Sequence, residues 1–254
     1  MGLTSQQFED LKKLEQTYTY TGDELAEKSV TLIPAPSRTG KSTIIKKAVE
    51  QGIFAGHNIA EVDTITTRER RPGIDPQGYR TANEGVTHQW MYDQIMDGKL
   101  PNWSLFENGD IYGTDIQSFP ADINLLPMQV SAIERFKRIK LRNLNIVSIV
   151  TDADVWQSRF DQPIASKSDL GRLIEARESL DYGMTTHDGI NRIVNLPGEK
   201  GLFQAAEALL AIALTDHDSY SSDLIDSSLT ADYDRYNRAM YNVAQYMIDT
   251  AEIA

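Results

Sequence analysis

The chain has 254 residues, enough for one α/β core with an inserted subdomain or for two small domains sharing an interface, and one catalytic unit with added ends is the simpler reading. Its 25 basic and 37 acidic residues leave a net charge of −12, which repels phosphate backbones unless basic groups are gathered locally and so disfavours extended nucleic acid as a partner. The absence of cysteine excludes disulfides, thiolate metal sites and cysteine nucleophiles.

Residues 1–6, Met-Gly-Leu-Thr-Ser-Gln, show no basic region followed by an apolar core, and Gln6 stands where myristoylation needs Ser or Thr. The most apolar stretches, 146–150 and 205–214, fall short of the roughly 20 residues of a membrane helix. A soluble, cytoplasmic protein with no membrane partner is expected.

In chain order, residues 5–18 carry Phe8, Leu11 and Leu14 at helical spacing among charges and predict a short amphipathic helix, an accessory packed on the core. The apolar, β-branched run 29–33 ends at Pro34 and is followed by a turn-prone stretch and a helical pattern over 43–51: strand, loop, helix. A second strand fits 58–62, the Arg-, Gly- and Pro-rich segment 66–78 reads as loop, and a helix fits 83–97 with Asn83 as its cap. Asn108-Gly109 between two short apolar runs is a strong hairpin signal and predicts two antiparallel strands. Buried strands at 123–126 and 146–150 are separated by a basic helix over about 128–142. Helices at 154–160, 168–180 and 201–214, with a strand at 192–196, continue the alternation and imply a mostly parallel sheet covered by helices on both faces. A polar linker beginning Thr215-Asp216-His217 precedes a final helix over 231–251. Its Tyr233, Tyr236, Met240, Val243 and Met247 make an apolar stripe that packs on its own domain or serves a partner.

The stretch Ala35-Pro36-Ser37-Arg38-Thr39-Gly40-Lys41-Ser42 approximates Gly-x-x-x-x-Gly-Lys-Ser/Thr, in which backbone N–H groups wrap phosphates and lysine adds mobile positive charge. It follows a predicted strand and opens a predicted helix, the context the motif requires. On this reading Pro36, Ser37, Arg38, Thr39, Gly40, Lys41, Ser42 and Thr43 hold ATP: Gly40 permits the tight approach, Lys41 reaches the β- and γ-phosphates, and Ser42 ligates Mg²⁺. Ala35 stands at the first glycine, and the alternative is an ordinary strand-to-helix turn.

Directly after the second strand, Thr64-Ile65-Thr66-Thr67-Arg68-Glu69-Arg70-Arg71-Pro72-Gly73 gathers arginines whose planar forks suit phosphate oxygens. A solvated loop making surface ion pairs is the alternative. Together with the loop at 35–43, this stretch resembles guanylate kinases. That family carries Gly-Pro-Ser-Gly-x-Gly-Lys-Ser/Thr, then Ser-x-Thr-Thr-Arg-x-x-Arg-x-Gly-Glu, a Gly-x-x-Tyr, a Leu-Glu and a Tyr-Gly-Thr. Here the order is kept by Pro36-Ser37, Gly40-Lys41-Ser42-Thr43, Thr66-Thr67-Arg68 with Arg71, Gly78-Tyr79 and Tyr112-Gly113-Thr114. Arg172-Leu173 with Ala176-Arg177, and Ile193-Val194-Asn195, extend the likeness, which covers about residues 30–213.

The resemblance implies a P-loop kinase fold with a small inserted acceptor-binding subdomain and a lid. It implies that Arg68, Arg71 and Tyr79 hold the acceptor phosphate, with Tyr112 adding a hydroxyl and Thr64 replacing the family's serine. Thr114 is placed near the acceptor base, Asn195 beside the donor base, and Arg159 and Arg172 as lid arginines acting with Lys41 on the transferring group. The family reads guanine with a Glu before the hairpin and an Asp after the next strand. This chain has Asn102 at the first position and Pro127 or Leu125 at the second, with Glu107 a substitute if the hairpin register slips. Asn both donates and accepts, so a different base edge is implied. Arg38 also replaces a glycine, and Ile74-Asp75 stands where Gly-Glu continues.

Asp152 and Asp154 read as a magnesium pair or, more simply, as a helix cap; His187-Asp188 reads as a surface turn, and the four histidines have no metal spacing. The resulting division is an accessory helix over 1–28, a guanylate-kinase-like domain over 29–214 and a linker with a helix over 215–254. Within the domain, 67–114 forms the acceptor subdomain and 155–180 the lid region. The expected activity is ATP–Mg²⁺-dependent phosphorylation of a nucleoside monophosphate, GMP or a relative. The alternatives are the same fold acting on a modified or deoxynucleotide, including a base in a polymer, and a catalytically silent binding module.

Overall fold

The run Ser29–Ile33 forms β1, and all five of its residues are buried, as a strand covered on both faces requires. It lies at the centre of a five-stranded parallel sheet in the order β2-β6-β1-β7-β8. The flanking strands are β2 (Ile59–Glu61), β6 (Ile123–Pro127), β7 (Asn143–Thr151) and β8 (Asn191–Asn195). This is a computed structural model, and it describes residues 2–15, 17–73, 79–106, 108–160, 167–186, 189–215 and 227–251.

Alternate residues of β1 feed two cores. On one face Ile33 packs with Ile44, Ile45 and Ala48 of α2 (Lys41–Phe54) and with Leu209 of α7 (Gly198–Leu214). On the other, Val30 and Leu32 meet Ile133 and Phe136 of α4 (Ile133–Phe136) together with Phe119 and Leu126. Each such side chain taken fully from water contributes roughly 1.5–3 kcal/mol. A third cluster joins Val150 and Trp156 of α5 (Ala153–Gln157) to Leu173 and Leu180 of α6 (Lys167–Thr185) and to Tyr233, Met240 and Met247 of α8 (Ser227–Asp249). The mostly parallel, helix-covered sheet is the α/β architecture that the strand–helix alternation implies.

Between β2 and β6 the chain builds an antiparallel sheet, β3-β5-β4, from β3 (Ile65–Thr66), β4 (Asn102–Leu105) and β5 (Ile111–Thr114). Its β4 and β5 pair across the turn that contains Asn108-Gly109. Helix α1 (Ser5–Leu14) does not pack on the main sheet; Leu11 and Tyr18 join the small core of Ile65, Met91, Trp103 and Ile111. The reason is local: the Tyr18 ring meets Trp103 edge-on at 5.5 Å, and its hydroxyl donates to the Leu100 carbonyl at 2.6 Å. Arg135 of α4, itself buried, donates to the carbonyls of Trp103 and Glu15 and ties this unit to the main domain.

Two expected helices differ. Over 83–97 the chain forms a 3-10 turn at Ala82–Glu84 and then α3 (His88–Met96), because Gly85 adopts φ 88° and ends the first segment. Thr87, not Asn83, caps α3, while the Asn83 side chain accepts from the Arg70 amide. Over 128–142 only a 3-10 turn at Val130–Ala132 and the single turn α4 form, and β7 begins at Asn143, earlier than the apolar run suggested. Asp152 caps α5 through its Oδ1. Ile74-Asp75, Gly78, Glu107, His187-Asp188, residues 161–166 of the expected lid and residues 216–226 of the expected linker lie outside the described residues.

Helix α8 packs on β7 and α6 through a polar contact inside an apolar seam. The buried Tyr233 hydroxyl donates to Ser148 Oγ at 2.6 Å and accepts from Asn237 Nδ2 at 3.1 Å, and burial pushes the phenol up to about 12. Tyr233→Phe leaves two buried polar groups short of a partner and is expected to lower stability by about 1–3 kcal/mol, read as a lower urea midpoint at unchanged slope.

Candidate active site

Five consecutive carbonyls between β1 and α2 accept side-chain hydrogen bonds. Ala35 O takes Lys41 Nζ at 2.9 Å, Pro36 O takes Thr39 Oγ1 at 2.9 Å, and Ser37 O takes Trp156 Nε1 at 2.9 Å. Arg38 O takes the Arg159 guanidinium, and Thr39 O takes Asn195 Nδ2 at 2.8 Å. Gly40, at φ 89°, is the N-cap of α2 and supplies no side-chain cap, so the first turn keeps its N–H groups and positive end for a ligand. A Cβ on residue 40 would stand 2.8 Å from Asn195 Nδ2, so glycine is needed for space as well as for φ. Asn195 is itself anchored: its carbonyl accepts from Thr151 Oγ1 at 2.7 Å, across the β7–β8 register.

Beside this loop opens a cavity of about 380 Å³, within the range of small-molecule sites. Lys41 and Ser42 line its loop side. Thr64, Tyr79, Asn102, Tyr112 and Thr114 line the subdomain side, and Glu61, Asp63, Gln129 and Glu175 complete the wall. Tyr79 and Tyr112 flank Arg68, whose Nε donates to the Tyr112 hydroxyl at 2.7 Å and whose guanidinium lies 5.8 and 5.7 Å from the two ring centroids. Arg70 is committed elsewhere, pairing with Glu84 at 2.9 Å, and Arg71 is exposed. Asn102 and Thr114 face each other in the β4–β5 register, and Asn102 Oδ1 and Thr114 Oγ1 are buried without a hydrogen-bond partner in the protein.

Apart from Arg71 and Arg172, the expected site residues fall into two sets. Lys41, Ser42, Thr64, Tyr79, Asn102, Tyr112 and Thr114 share the cavity, with Arg68 behind the tyrosines. Pro36, Ser37, Arg38, Thr39, Gly40, Asn195 and Arg159 form the loop and its braces, with Thr43 exposed in the first turn of α2. Arg172, on α6 one turn before Glu175, donates to Asp169 at 3.4 Å. Among the described residues no group of three acidic or histidine side chains could hold a metal ion.

Glu61, Asp63 and Glu175 were not anticipated. Glu61 and Asp63 are legible only through the rule that ligands sit beyond the carboxyl ends of parallel strands, since β2 ends at Glu61. Glu175 carries no such signal, because its direction depends on how α6 packs. Burial pushes the Lys41 ammonium down, and Glu175 and Glu61 pull it partly back. Desolvation raises the Glu175 and Glu61 carboxyls; Asp63 adds repulsion at Glu61, and Lys41 opposes the rise at both. The cavity therefore sets one cation among carboxylates in a low-dielectric wall.

No protein-family model matches the chain, and no curated protein matches it. Among solved structures, a guanylate kinase from Anaplasma phagocytophilum is similar over 73% of this chain and 84% of that one, at 15% identity and a TM-score of 0.49. At that identity and score the likeness reaches neither substrate nor activity, which are read from the site alone.

The raised Glu175 pKa has a sign that can be checked. A carboxyl whose folded-state pKa lies above its ordinary value contributes full stability below that ordinary value and loses the contribution as pH rises through the folded pKa. Glu175→Gln mimics the protonated form, so its stability relative to the wild type is expected to rise as pH increases above the ordinary glutamate value of about 4, measured as the difference in urea midpoints. A difference independent of pH would contradict the burial of this carboxyl.

Proposed function

We propose that the chain transfers the terminal phosphoryl group of ATP to the phosphate of a nucleoside monophosphate. The observation that carries this reading is a single cavity with Lys41 and Ser42 on one side and a Tyr79–Arg68–Tyr112 stack on the other. Phosphoryl transfer needs little covalent help from protein; positioning and charge stabilisation suffice. The amide-presenting turn and the α2 N-terminus hold the donor phosphates, and Lys41 lies between them and the cavity. Arg68 and the tyrosine hydroxyls fix the acceptor phosphate in line.

Ser42, exposed in the first turn of α2 and lining the same cavity as Glu61 and Asp63, would offer its hydroxyl oxygen to a magnesium ion carried by the donor phosphates. When bound, the ion neutralises charge on the β- and γ-phosphates. Lys41 supplies the fixed cation, and the apolar wall of Leu126, Pro127 and Met128 limits access of competing water. No general base is required of the carboxylates.

The acceptor base meets neutral groups. Asn102, where the resembled family has a carboxylate, and its cross-strand partner Thr114 present a donor and acceptor set, so a modified or deoxynucleotide acceptor is a reading with its own support.

Release of ADP from ATP–Mg²⁺ across GMP, dGMP, AMP, CMP, UMP and dTMP tests the reaction and the acceptor together. Turnover with at least one monophosphate is expected, with GMP not favoured by the large factors that a carboxylate-built guanine site gives. No turnover with any of them and no ATP binding would defeat the proposal in favour of a silent binding module. Lys41→Ala is expected to keep the fold and lose turnover by a factor of about 10² or more. Full activity in that variant, checked by circular dichroism and steady-state kinetics, would mean the donor phosphates lie elsewhere.

A further inference from the structure

Arg38 is the only non-glycine residue of positive φ among the described residues, at 67°. A side chain held in the left-handed region stores strain that its surroundings must outweigh, and glycine would occupy the position freely. The surroundings are unusually committed. One Nη of Arg38 donates to the Arg159 carbonyl, and the Arg159 guanidinium donates back to the Arg38 carbonyl. The other Nη lies 3.1 Å from Asp169 Oδ1, in the first turn of α6, and the guanidinium rests on the Phe160 ring at 4.2 Å. The same Asp169 oxygen accepts from Arg172 at 3.4 Å. Trp156, which holds Ser37 O, meets Phe160 edge-on at 5.1 Å and closes the group.

We infer that Arg38 is a positioning residue that fastens the donor loop to the lid segment and, through Asp169, fixes the approach of the Arg172 guanidinium to the reacting phosphates. The inference rests on the kinase reading for its catalytic consequence, while the fastening itself does not depend on it. The planar fork explains the residue type. One Nη addresses a carbonyl and the other a carboxylate while the face stacks on an aromatic ring, and a lysine ammonium cannot do all three. It also explains why a strained residue stands where a glycine would be easier. A glycine would remove the bond from the loop to Asp169, and would leave the side chains of Trp156 and Arg159 to hold the segment from Ala153 to Phe160 to the loop. Arg38 thereby couples two parts of the site: the turn that receives the donor and the helix that carries Arg172.

Arg38→Gly is the sharpest variant, because glycine suits this φ and any loss reports the side chain rather than the backbone. Hydrogen–deuterium exchange of the free chain follows the amides of 156–160, where Trp156, Ser158, Arg159 and Phe160 all donate to backbone carbonyls. Arg38→Gly and Asp169→Asn are each expected to speed their exchange about tenfold or more, with the double variant no faster than the faster single, as expected for one shared interaction. In turnover, both singles are expected to lower kcat about tenfold with acceptor KM changed by less than about threefold, and Arg38→Lys is expected to recover only part of the loss. Unchanged exchange in either single, or effects that multiply in the double, overturns the fastening. Faster exchange with unchanged kcat overturns the positioning role. A wild-type chain without ATP binding or turnover refutes the kinase reading, and the exchange result then decides the fastening by itself.

Discussion

The site depends on one constraint: a turn between a buried strand and a helix cannot offer amide hydrogens to a ligand unless its carbonyls are satisfied elsewhere. Here that condition is met five times in succession, from Ala35 to Thr39, by donors from α2, from the loop itself, from α5 and the residues after it, and from the end of β8. Those donors are where they are because the sheet is parallel and in register. Thr151 and Asn195 are partners at the carboxyl ends of β7 and β8, so Asn195 is fixed at the height of Gly40. The sheet order, which puts β1 between β6 and β7, brings the α5 segment to one side of the turn and the cavity wall of β6 to another.

The small antiparallel sheet supplies the other half of the cavity and has its own core. Helix α1, Tyr18 and Arg135 stiffen it from outside, so Asn102, Tyr112 and Thr114 stand on paired strands and not on free loops. In this strongly acidic chain Lys41 lines the cavity on the loop side, and Arg68 stands behind Tyr79 and Tyr112, which line it on the other. Lys41 and Arg68 are held by specific partners, and the three carboxylates Glu61, Asp63 and Glu175 line the same wall. In a low-dielectric cleft each of these charges weighs more heavily than it would in water.

Much of this was legible from the residues. The strand–loop–helix at 29–54, the hairpin at Asn108-Gly109 and the parallel alternation follow from β-branched runs, turn chemistry and helical spacing, all local properties. What was not legible was long-range or conformational. Gly85 broke a helix that its apolar spacing favoured, and α1 went to the small core because Trp103 and Leu100 receive Tyr18 there. Arg38 was ambiguous in sequence, since a charged residue at a glycine position could disturb the loop or add charge. Its partners Asp169, Arg159 and Phe160 lie more than a hundred residues away and are brought to it only by the packing of α5 and α6 against the sheet. Glu175 was hidden for the same reason.

The central claim is that donor and acceptor phosphates meet in one cavity between Lys41 and Arg68. Thermal denaturation with a compound joining two nucleosides through five phosphates measures this directly, because a ligand that spans both halves stabilises the folded chain in proportion to its occupancy of both. The expected result is a rise of several degrees in the melting midpoint, larger than with ATP–Mg²⁺ or a monophosphate alone and lost in Lys41→Ala. A joined compound that shifts the midpoint no more than a monophosphate, or shifts wild type and Lys41→Ala equally, would contradict the account.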